Sequence, residues 1–383
     1  MNTSHPMHVA VNAHLLAHTN NFRRAGVSHY IEALLEHLGH IDTVNPYTIY
    51  TTRGVDAAAL GLPANFRVRT SRFDTINPRV RIPWEQLLAP ILLARDHATL
   101  YHGVLNVMPV LATVPSVVTI HDISPILFPQ TFRRINRMYT KWAIRRSAKH
   151  AAQLFTVSEH AKKEIVEHLG VAPERVTVTY DACDARFFPA SAAELAAFRQ
   201  RNGLPERYLF YLGTLEPRKN IPRLIDAYAQ IAKETGVPLL IGGGKGWLYE
   251  PILAQAERLQ LGDQLRFVGY VPQDEQHLWY GAATAFVFPS LYEGFGMPPL
   301  EAMACGTPVI ASNASCLPEI VGSAALQVDP YDVDALADAM RRVLDDGELR
   351  AQMRRDGLVQ AAKFSWLETA KRTHAVYQAV SRR

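Results

Sequence analysis

Two glutamates, Glu293 and Glu301, stand eight positions apart in YEGFGMPPLEAMACGTPV (292–309), around a Gly-Phe-Gly-Met-Pro-Pro turn. The apolar TAFVFPS (284–290) before them reads as a strand, and Pro298 or Pro299 opens a helix, since proline fits a first helical turn. Gly294, Phe295, Gly296 and Met297 then present backbone amides, and the glycines allow positive φ and close approach to a ligand. With the helix dipole these amides form an anion site suited to phosphate. A carboxylate beside a phosphate repels it, so both glutamates are expected on hydroxyls, which donate to ionised carboxylates. Hydroxyls on both sides of a diphosphate describe a nucleotide sugar, with Glu301 at the ribose and Glu293 at the transferred sugar. On this stretch alone a plainer alternative stays open: a first-turn dipole partner and a solvated loop acid.

A second loop, YLGTLEPRKN (211–220), ends another apolar run and carries Arg218 and Lys219 into the next helical pattern. The two cations are placed to neutralise the diphosphate that leaves when a glycosyl bond breaks. Alone, they would read as ordinary surface charges.

The elements that must position these loops follow one rhythm. HVAVNA (8–13), YTIYTT (47–52), SVVTIHD (116–122) and AAQLFTVS (151–158) read as buried strands among helical patterns such as SHYIEALLEHLG (28–39). The rhythm restarts after residue 200 with YLFYLGTL (208–215), PLLIGGG (238–244), RFVGYV (266–271) and TAFVFPS. Strands alternating with helices predict parallel sheets covered on both faces. The expected fold class is therefore α/β, with two doubly wound Rossmann-like domains facing a cleft. Their bounds are set at 1–190 and 203–364, joined near 186–207, with an amphipathic helix over 365–383. A length of 383 residues fits two cores better than one. In such sheets ligands bind beyond the carboxyl ends of the strands.

Together these strings resemble the retaining nucleotide-sugar glycosyltransferases of family 4, which have the GT-B fold. RAGVSHYIEALL, VVTIHDISPILFP, FTVSEHAKKEIVEHLGVAPERVTV, GTLEPRKN, IGGGKGW, FVGYVPQDE, SLYEGFGMPPLEAMACGTPVIAS, LPEIVG and FSWLETA follow the family's order along nearly the whole chain. The resemblance implies that Glu293 meets the donor sugar, Glu301 the ribose, and Gly294 to Met297 the sugar and phosphate. It implies Lys219, helped by Arg218, at the diphosphate, His121 near the reacting carbon and Gly26 close to the donor phosphates. Tyr270 and Val271 would line the base pocket. His102 and Asn106, in LYHGVLNVMP, are placed at the acceptor, although His102 equally fits packing at a strand end. The closing helix is implied to cross back onto the N-terminal domain. One departure stands out: many members carry an arginine six residues before the loop lysine, where this chain has Thr214. The form GTLEPRKN resembles a subgroup with mannosyltransferases of bacterial surface polysaccharides such as O-antigen. That implies GDP-mannose as donor, with a UDP-sugar as the alternative, and a glycan or polyprenyl-diphosphate-linked acceptor. No cofactor and no metal are implied. A sugar-nucleotide epimerase, a phosphorylase and a non-catalytic nucleotide-binding subunit remain as other readings.

Several motifs are set aside. Asp332-Val333-Asp334 matches the Asp-x-Asp metal signature, yet it opens a helix and is expected to cap it. GGGKGW lacks the Ser or Thr of a nucleotide-hydrolase loop and the spacing of a dinucleotide fingerprint. Three scattered cysteines, Cys183, Cys305 and Cys316, form neither a metal set nor a disulfide framework. The N-terminus lacks a signal-peptide pattern, and the most apolar run, LLAPILLA, is far too short to span a bilayer. A cytoplasmic protein is expected, peripheral at the inner face of the cell membrane. The reason is charge: residues 1–190 hold 20 Lys and Arg against 14 Asp and Glu, and Ile123 to Ser158 contains no acid. The stretch 133–149 places Arg133, Arg134, Arg137, Lys141, Arg145, Arg146 and Lys149 among apolar residues at helical spacing. It reads either as a solvated helix face or as a contact for an anionic membrane surface or a diphosphate-bearing acceptor. No recognised nucleic-acid module accompanies it, so nucleic acid is not an expected partner.

Overall fold

The structure, a computed structural model, describes residues 7–16, 26–129, 134–246 and 248–382, with the backbone alone for 134–137. Arg24 and Ala25 of the first glycine loop, Arg133 of the basic stretch and Trp247 lie outside the described residues, as do the side chains of Arg134 and Arg137. The chain divides into two units, Met1–Asp181 with Ser365–Arg383, and Ala182–Phe364. The segment 186–207 thus lies in the second unit, where Ser191 caps a helix, Ala192–Arg201, through a reciprocal capping box with Glu194.

The first unit holds seven strands: β1 Val9–Ala13, β2 Tyr47–Thr51, β3 Phe66–Thr70, β4 Leu100–Gly103, β5 Ser116–Thr119, β6 Gln153–Thr156 and β7 Val176–Val178. They form one parallel sheet in the order β3-β2-β1-β4-β5-β6-β7. Every residue of β1, β2, β4 and β5 is buried, as a sheet covered on both faces requires.

The second unit holds β8 Leu209–Leu212, β9 Leu239–Gly242, β10 Leu265–Gly269, β11 Ala285–Phe288, β12 Val309–Ser312 and β13 Leu326–Val328. These too are parallel, in the order β10-β9-β8-β11-β12-β13. Phe210 and Phe286 on the central strands pack with Trp279 and Tyr280 into an aromatic core.

Strand order fixes where each unit can bind. The order reverses between β1 and β4 in the first unit and between β8 and β11 in the second. A crevice opens beyond the carboxyl ends of the strands at such a reversal, because the flanking connections leave on opposite faces.

The C-terminal helix, Trp366–Ser381, belongs to the first unit and packs on the helix Val27–Ile41 and on β4. Its Tyr377 hydroxyl lies 2.6 Å from His102 Nδ1, and His102 Nε2 lies 2.8 Å from Thr119 Oγ1, which in turn meets the Tyr30 hydroxyl at 3.2 Å. His102 is fully buried with both ring nitrogens engaged. Of the two places expected for His102, at the acceptor or packed at a strand end, the structure gives the second: it ties the last helix to the sheet, and both ring nitrogens are engaged.

Burial, and then the neighbouring His121, push His102 down to about 3. The unfolded chain takes up this proton below about pH 6.5, whereas the native protein resists until near pH 3. The contribution is therefore intact above pH 6.5 and is lost as the pH falls toward 3, at about 1.4 kcal/mol per unit. Other buried groups titrate too, so the expected result is a difference. The stability deficit of His102→Gln relative to wild type should shrink by about 1 kcal/mol between pH 6.5 and 5.5, since the unfolded histidine is already half protonated at the upper value. Urea unfolding at the two pH values measures it, and a constant deficit would contradict the assignment.

Candidate functional site

In the second unit the reversal between β8 and β11 is flanked by two loops, and they are the ones the sequence singles out. After β8 the chain reaches a single helical turn, Pro217–Lys219, and then Asn220, held at φ 60. A non-glycine residue is uncommon in that conformation. The Asn220 amide stabilises it by donating to Pro289 O at 3.0 Å and Pro330 O at 2.7 Å, which locks the β8 loop to the end of β11. Leu291 N donates to Arg218 O at 2.9 Å, a second tie between the loops.

That docking brings opposite charges together. Lys219 Nζ lies 2.6 Å from Glu293 Oε1, and Arg218 NH1 lies 3.4 Å from Glu293 Oε2. Burial raises the Glu293 pKa, but Lys219 and Arg218 outweigh it and the carboxyl is held below its ordinary value. Glu293 is thus a buried, ionised acceptor at neutral pH. The Lys219 ammonium has three donors and gives one to Glu293, while its charge lies 5.2 Å from the Phe288 ring centroid.

Arg218 is committed differently. Its guanidinium donates to Glu216 at 2.9 Å, to Tyr292 O at 2.9 Å and to Glu293. It braces the two loops against each other. Thr214, at the position of the missing arginine, lies where an added Cβ on Gly246 would come within 2.7 Å of its methyl.

The helix after Glu293 spans Met297–Ala304, with Gly296 before it at φ 104. A side chain at Gly296 would be strained by that φ and would meet Leu317 Cδ2 at 2.7 Å. Pro298 and Pro299 have no N–H, so of the first helical turn only Met297 and Leu300 carry amides, and Leu300 N reaches back to Gly296 O at 3.5 Å. Gly294 is half-buried, and Phe295 packs its ring against Phe364. Glu301, on this helix, accepts a hydrogen bond from the Tyr280 hydroxyl at 2.8 Å. Burial pushes it up to about 7, against Tyr280 and Arg186, which favour the ionised form, and with Asp184, which opposes it. The two glutamates therefore differ: Glu293 is pinned as an anion, and Glu301 is poised to hold or release a proton near neutrality.

Sequence reasoning missed the residues that hold the turn from behind. Ser315, at φ 58, takes the Glu293 amide at 3.1 Å and returns its own proton to Glu293 O at 2.6 Å. Cys316 Sγ lies 2.9 Å from Phe295 O. Such a strained backbone persists only where its surroundings over-determine it. The sequence signal was slight, a serine and a cysteine between VIAS and LPEIVG.

Tyr270 and Val271 follow β10 on the far side of β9, Tyr270 exposed and Val271 buried. Glycines bring these loops close: Gly243 N donates to Gly269 O at 2.7 Å, and an added Cβ on Gly243 would fall 1.9 Å from Gly213 O.

The remaining expected residues lie in the first unit. Gly26, at φ 58, precedes the helix Val27–Ile41, which no side chain caps. His121 Nε2 lies 3.0 Å from Val104 O, so that nitrogen carries the proton and Nδ1 is left as an acceptor. Burial lowers its pKa against the Val104 carbonyl and Asp122, so the ring is neutral. Asn106, at φ 56, donates its amide to Thr119 O at 2.8 Å. Among the set-aside motifs, Asp332 caps the helix Val333–Asp345 by accepting from Ala335 N at 2.8 Å. Among the described residues, no three His, Cys, Asp or Glu side chains gather as a metal set, and no helix is long and apolar enough to cross a membrane.

Two doubly wound units, the second with a glycine turn and a cation pair at its strand reversal, are the architecture of the GT-B class of glycosyl-transferring enzymes. Known proteins agree. Residues 194–358 match the family described as glycosyl transferases group 1, and residues 24–187 match glycosyltransferase family 4. The chain is 38% identical over 266 residues to O-antigen chain mannosyltransferase B of Escherichia coli, covering 69% of this chain and 70% of that protein. It is 28% identical over 280 residues to O-antigen chain mannosyltransferase RfbU of Salmonella typhimurium, covering 73% and 74%. Among solved structures, sucrose-phosphate synthase from Thermosynechococcus elongatus superposes with a TM-score of 0.79 at 22% identity, over 98% of this chain and 99% of that one. The glycosyltransferase WaaG gives 0.73 at 16%, over 96% and 99%. The chain belongs to glycosyltransferase family 4.

Proposed function

We propose that this glycosyltransferase moves mannose from GDP-mannose, with retention of configuration, to a glycan or polyprenyl-diphosphate-linked acceptor in surface-polysaccharide synthesis. The observation that carries the reading is the Lys219–Glu293 pair at the reversal between β8 and β11. The names of the two mannosyltransferases above support mannose as the sugar.

The donor is assigned to the second unit. Its base lies over the backbone around Tyr270 and Val271, its ribose at Glu301, and its diphosphate at Lys219 and the amides from Gly294 to Met297. From β10 to β11 is three strand spacings, roughly 14 Å, which calls for an elongated ligand such as a nucleoside diphosphate sugar. Glu293, held ionised, accepts hydrogen bonds from the mannose hydroxyls, and the family pattern assigns His121 to the sugar and Gly26 to the phosphates. In the transfer step the bond from C1 to the phosphate oxygen breaks while the acceptor oxygen bonds C1 on the same face. The acceptor's proton passes to the departing phosphate, and Lys219 offsets the charge that develops there. The reading invokes no metal and no cofactor.

The test is incubation with GDP-mannose and octyl α-D-mannopyranoside, followed by proton NMR. An α-linked product with release of GDP is expected. A β-linked product, or transfer from UDP-glucose in preference to GDP-mannose, would refute the reading.

Membrane attachment is a further part of the proposal. On the basic helix Arg134–His150, Trp142, Arg145 and Lys149 are exposed and Lys141 is half-buried. Gln86 joins this helix to its neighbours, donating to the Tyr139 hydroxyl at 3.2 Å and accepting from Val110 N at 3.0 Å. Exposed Leu87, Ile91, Leu111 and Met138 lie on the elements so joined. Apolar groups beside cations suit an anionic bilayer surface. Glutamate at Lys141, Arg145 and Lys149 together is expected to abolish co-sedimentation with phosphatidylglycerol vesicles, and unchanged pelleting would remove this part of the account.

A further inference from the structure

One hydroxyl from the aromatic core of the second unit reaches a residue assigned to the donor, and no step above uses it. Tyr280 lies in the helix Gln276–Ala282, fully buried among Phe187, Phe210 and Phe286, with ring centroids 6.0, 5.9 and 5.1 Å away. Thr307 Oγ1 donates to Tyr280 O at 2.8 Å and holds the backbone. Packed tilted and edge-on against three rings, the phenol has little freedom to move. Its hydroxyl therefore leaves the core at one set point, where it donates to Glu301 Oε2 at 2.8 Å.

This bond restrains both partners. Among the described residues Glu301 is the one acceptor of the Tyr280 hydroxyl, and losing it would strand a polar group in an apolar core. Glu301 is half-buried on the helix Met297–Ala304, and without that hydroxyl its carboxyl would be free to turn. Its Oε1 carries no hydrogen bond among the described residues, and each carboxylate oxygen has two acceptor sites. The cis-diol of a ribose offers two neighbouring hydroxyls, which a carboxylate held in one plane accepts together; a 2′-deoxyribose offers one. The other charged and titratable neighbours do not set that plane. Arg186 favours the ionised form of Glu301 and Asp184 opposes it, and these two lie 4.0 Å apart as a pair of their own. Cys183 and Cys305 are also near, but burial pushes both thiols up and they stay neutral. Tyr280 favours the charged carboxylate, and charged acceptors make the stronger hydrogen bonds.

On the donor reading above, which this rests on and deepens, we propose that Tyr280 is a positioning residue. It holds the Glu301 carboxylate in the orientation that accepts both ribose hydroxyls, and so gives the site its preference for a ribonucleotide over a 2′-deoxyribonucleotide.

The test is calorimetric titration of the full chain with GDP and 2′-deoxy-GDP across neutral pH. The terminal phosphate titrates in both nucleotides, so the ratio of their affinities isolates the ribose contact. The wild type is expected to prefer GDP by roughly tenfold, the worth of a hydrogen bond to a charged group. That preference should grow as the pH rises through about 7, where Glu301 loses its proton. Tyr280→Phe keeps a ring in the aromatic core; its preference should fall to roughly twofold, and the rise should move to higher pH. Loss of stability alone would weaken both nucleotides equally and leave the ratio as it was. If that variant fails to fold, 3-fluorotyrosine at position 280 decides the matter. This more acidic phenol of nearly the same size should keep Glu301 ionised to lower pH and move the rise downward. A wild-type ratio in folded Tyr280→Phe, or an unmoved pH profile with 3-fluorotyrosine, would overturn the assignment. UDP and 2′-deoxy-UDP repeat the comparison if the base is uracil. A wild type that binds none of these nucleotides, or binds ribo and deoxy forms equally, would fault the donor reading itself and the role of Tyr280 with it.

Discussion

Replacing Glu293 with glutamine is expected to lower kcat/KM by roughly 10²- to 10³-fold, the range for removing one fixed electrostatic partner of a transition state. GDP affinity should be unchanged or higher. The reason is the state of the site before ligand arrives. Glu293 is buried and holds Lys219 at 2.6 Å and Arg218 at 3.4 Å, so its charge competes with a diphosphate for both cations. Glutamine keeps an oxygen that accepts from Lys219 and removes that competing charge, so a purely electrostatic diphosphate site improves. Transfer should fail nonetheless, because the acceptor for the sugar hydroxyls has lost its charge. Glu293→Ala should abolish transfer and also cost stability, on the order of 1–3 kcal/mol, since it leaves half-buried Lys219 without its carboxylate while Arg218 keeps Glu216 and Tyr292 O. Wild-type turnover in Glu293→Gln would remove this residue from the donor site.

Lys219→Ala should move nucleotide affinity the other way. Both GDP binding and kcat/KM are expected to fall, each by roughly 10- to 100-fold, as when a charge-assisted hydrogen bond is lost. Stability should suffer less than in Glu293→Ala, because Arg218 stays beside the carboxylate. Calorimetric titration with GDP checks both variants. Two halves of one ion pair giving opposite signs on nucleotide affinity is a signature that a merely structural salt bridge would not produce. Equal losses in both, tracking stability, would assign the pair to folding alone.

The fold was legible where its physics is local. Buried parallel strands are continuous apolar runs, and β1, β2, β5, β6, β8, β9, β10 and β11 each lie within or close to a stretch that reads so. The strands not read were β3, β4, β7, β12 and β13. FRVRT of β3 alternates arginine with apolar residues because it is an edge strand, partly exposed. VTV and LQV, β7 and β13, are three residues long, and LYHG of β4 carries a histidine that only tertiary structure pairs. His102 shows the limit most plainly: its partner Tyr377 lies 275 positions away, so no local pattern separates a core histidine from a ligand-facing one.

The site was legible in its charged residues and not in its scaffold. Glu293, Lys219, Arg218 and the glycine turn announce themselves by type and spacing. Asn220, Ser315 and Cys316, which hold that turn, act through backbone carbonyls and amides, and such contacts leave little trace in side-chain identity. The environments of Glu293 and Glu301 were equally hidden. Only the folded unit shows two cations beside the first and a tyrosine hydroxyl beside the second.

The central claim is a guanine-nucleotide sugar bound in the second unit, and thermal melting in the presence of GDP, UDP, ADP, GDP-mannose and UDP-sugars tests it most directly. A ligand that binds the folded state alone raises the melting temperature, by about 2.7 kcal/mol of added stability at a hundredfold excess over its Kd. The account predicts a selective rise with GDP and GDP-mannose that Lys219→Ala diminishes. A rise with UDP and UDP-sugars instead would contradict GDP-mannose as the donor, and no rise with any of them would contradict the donor site itself.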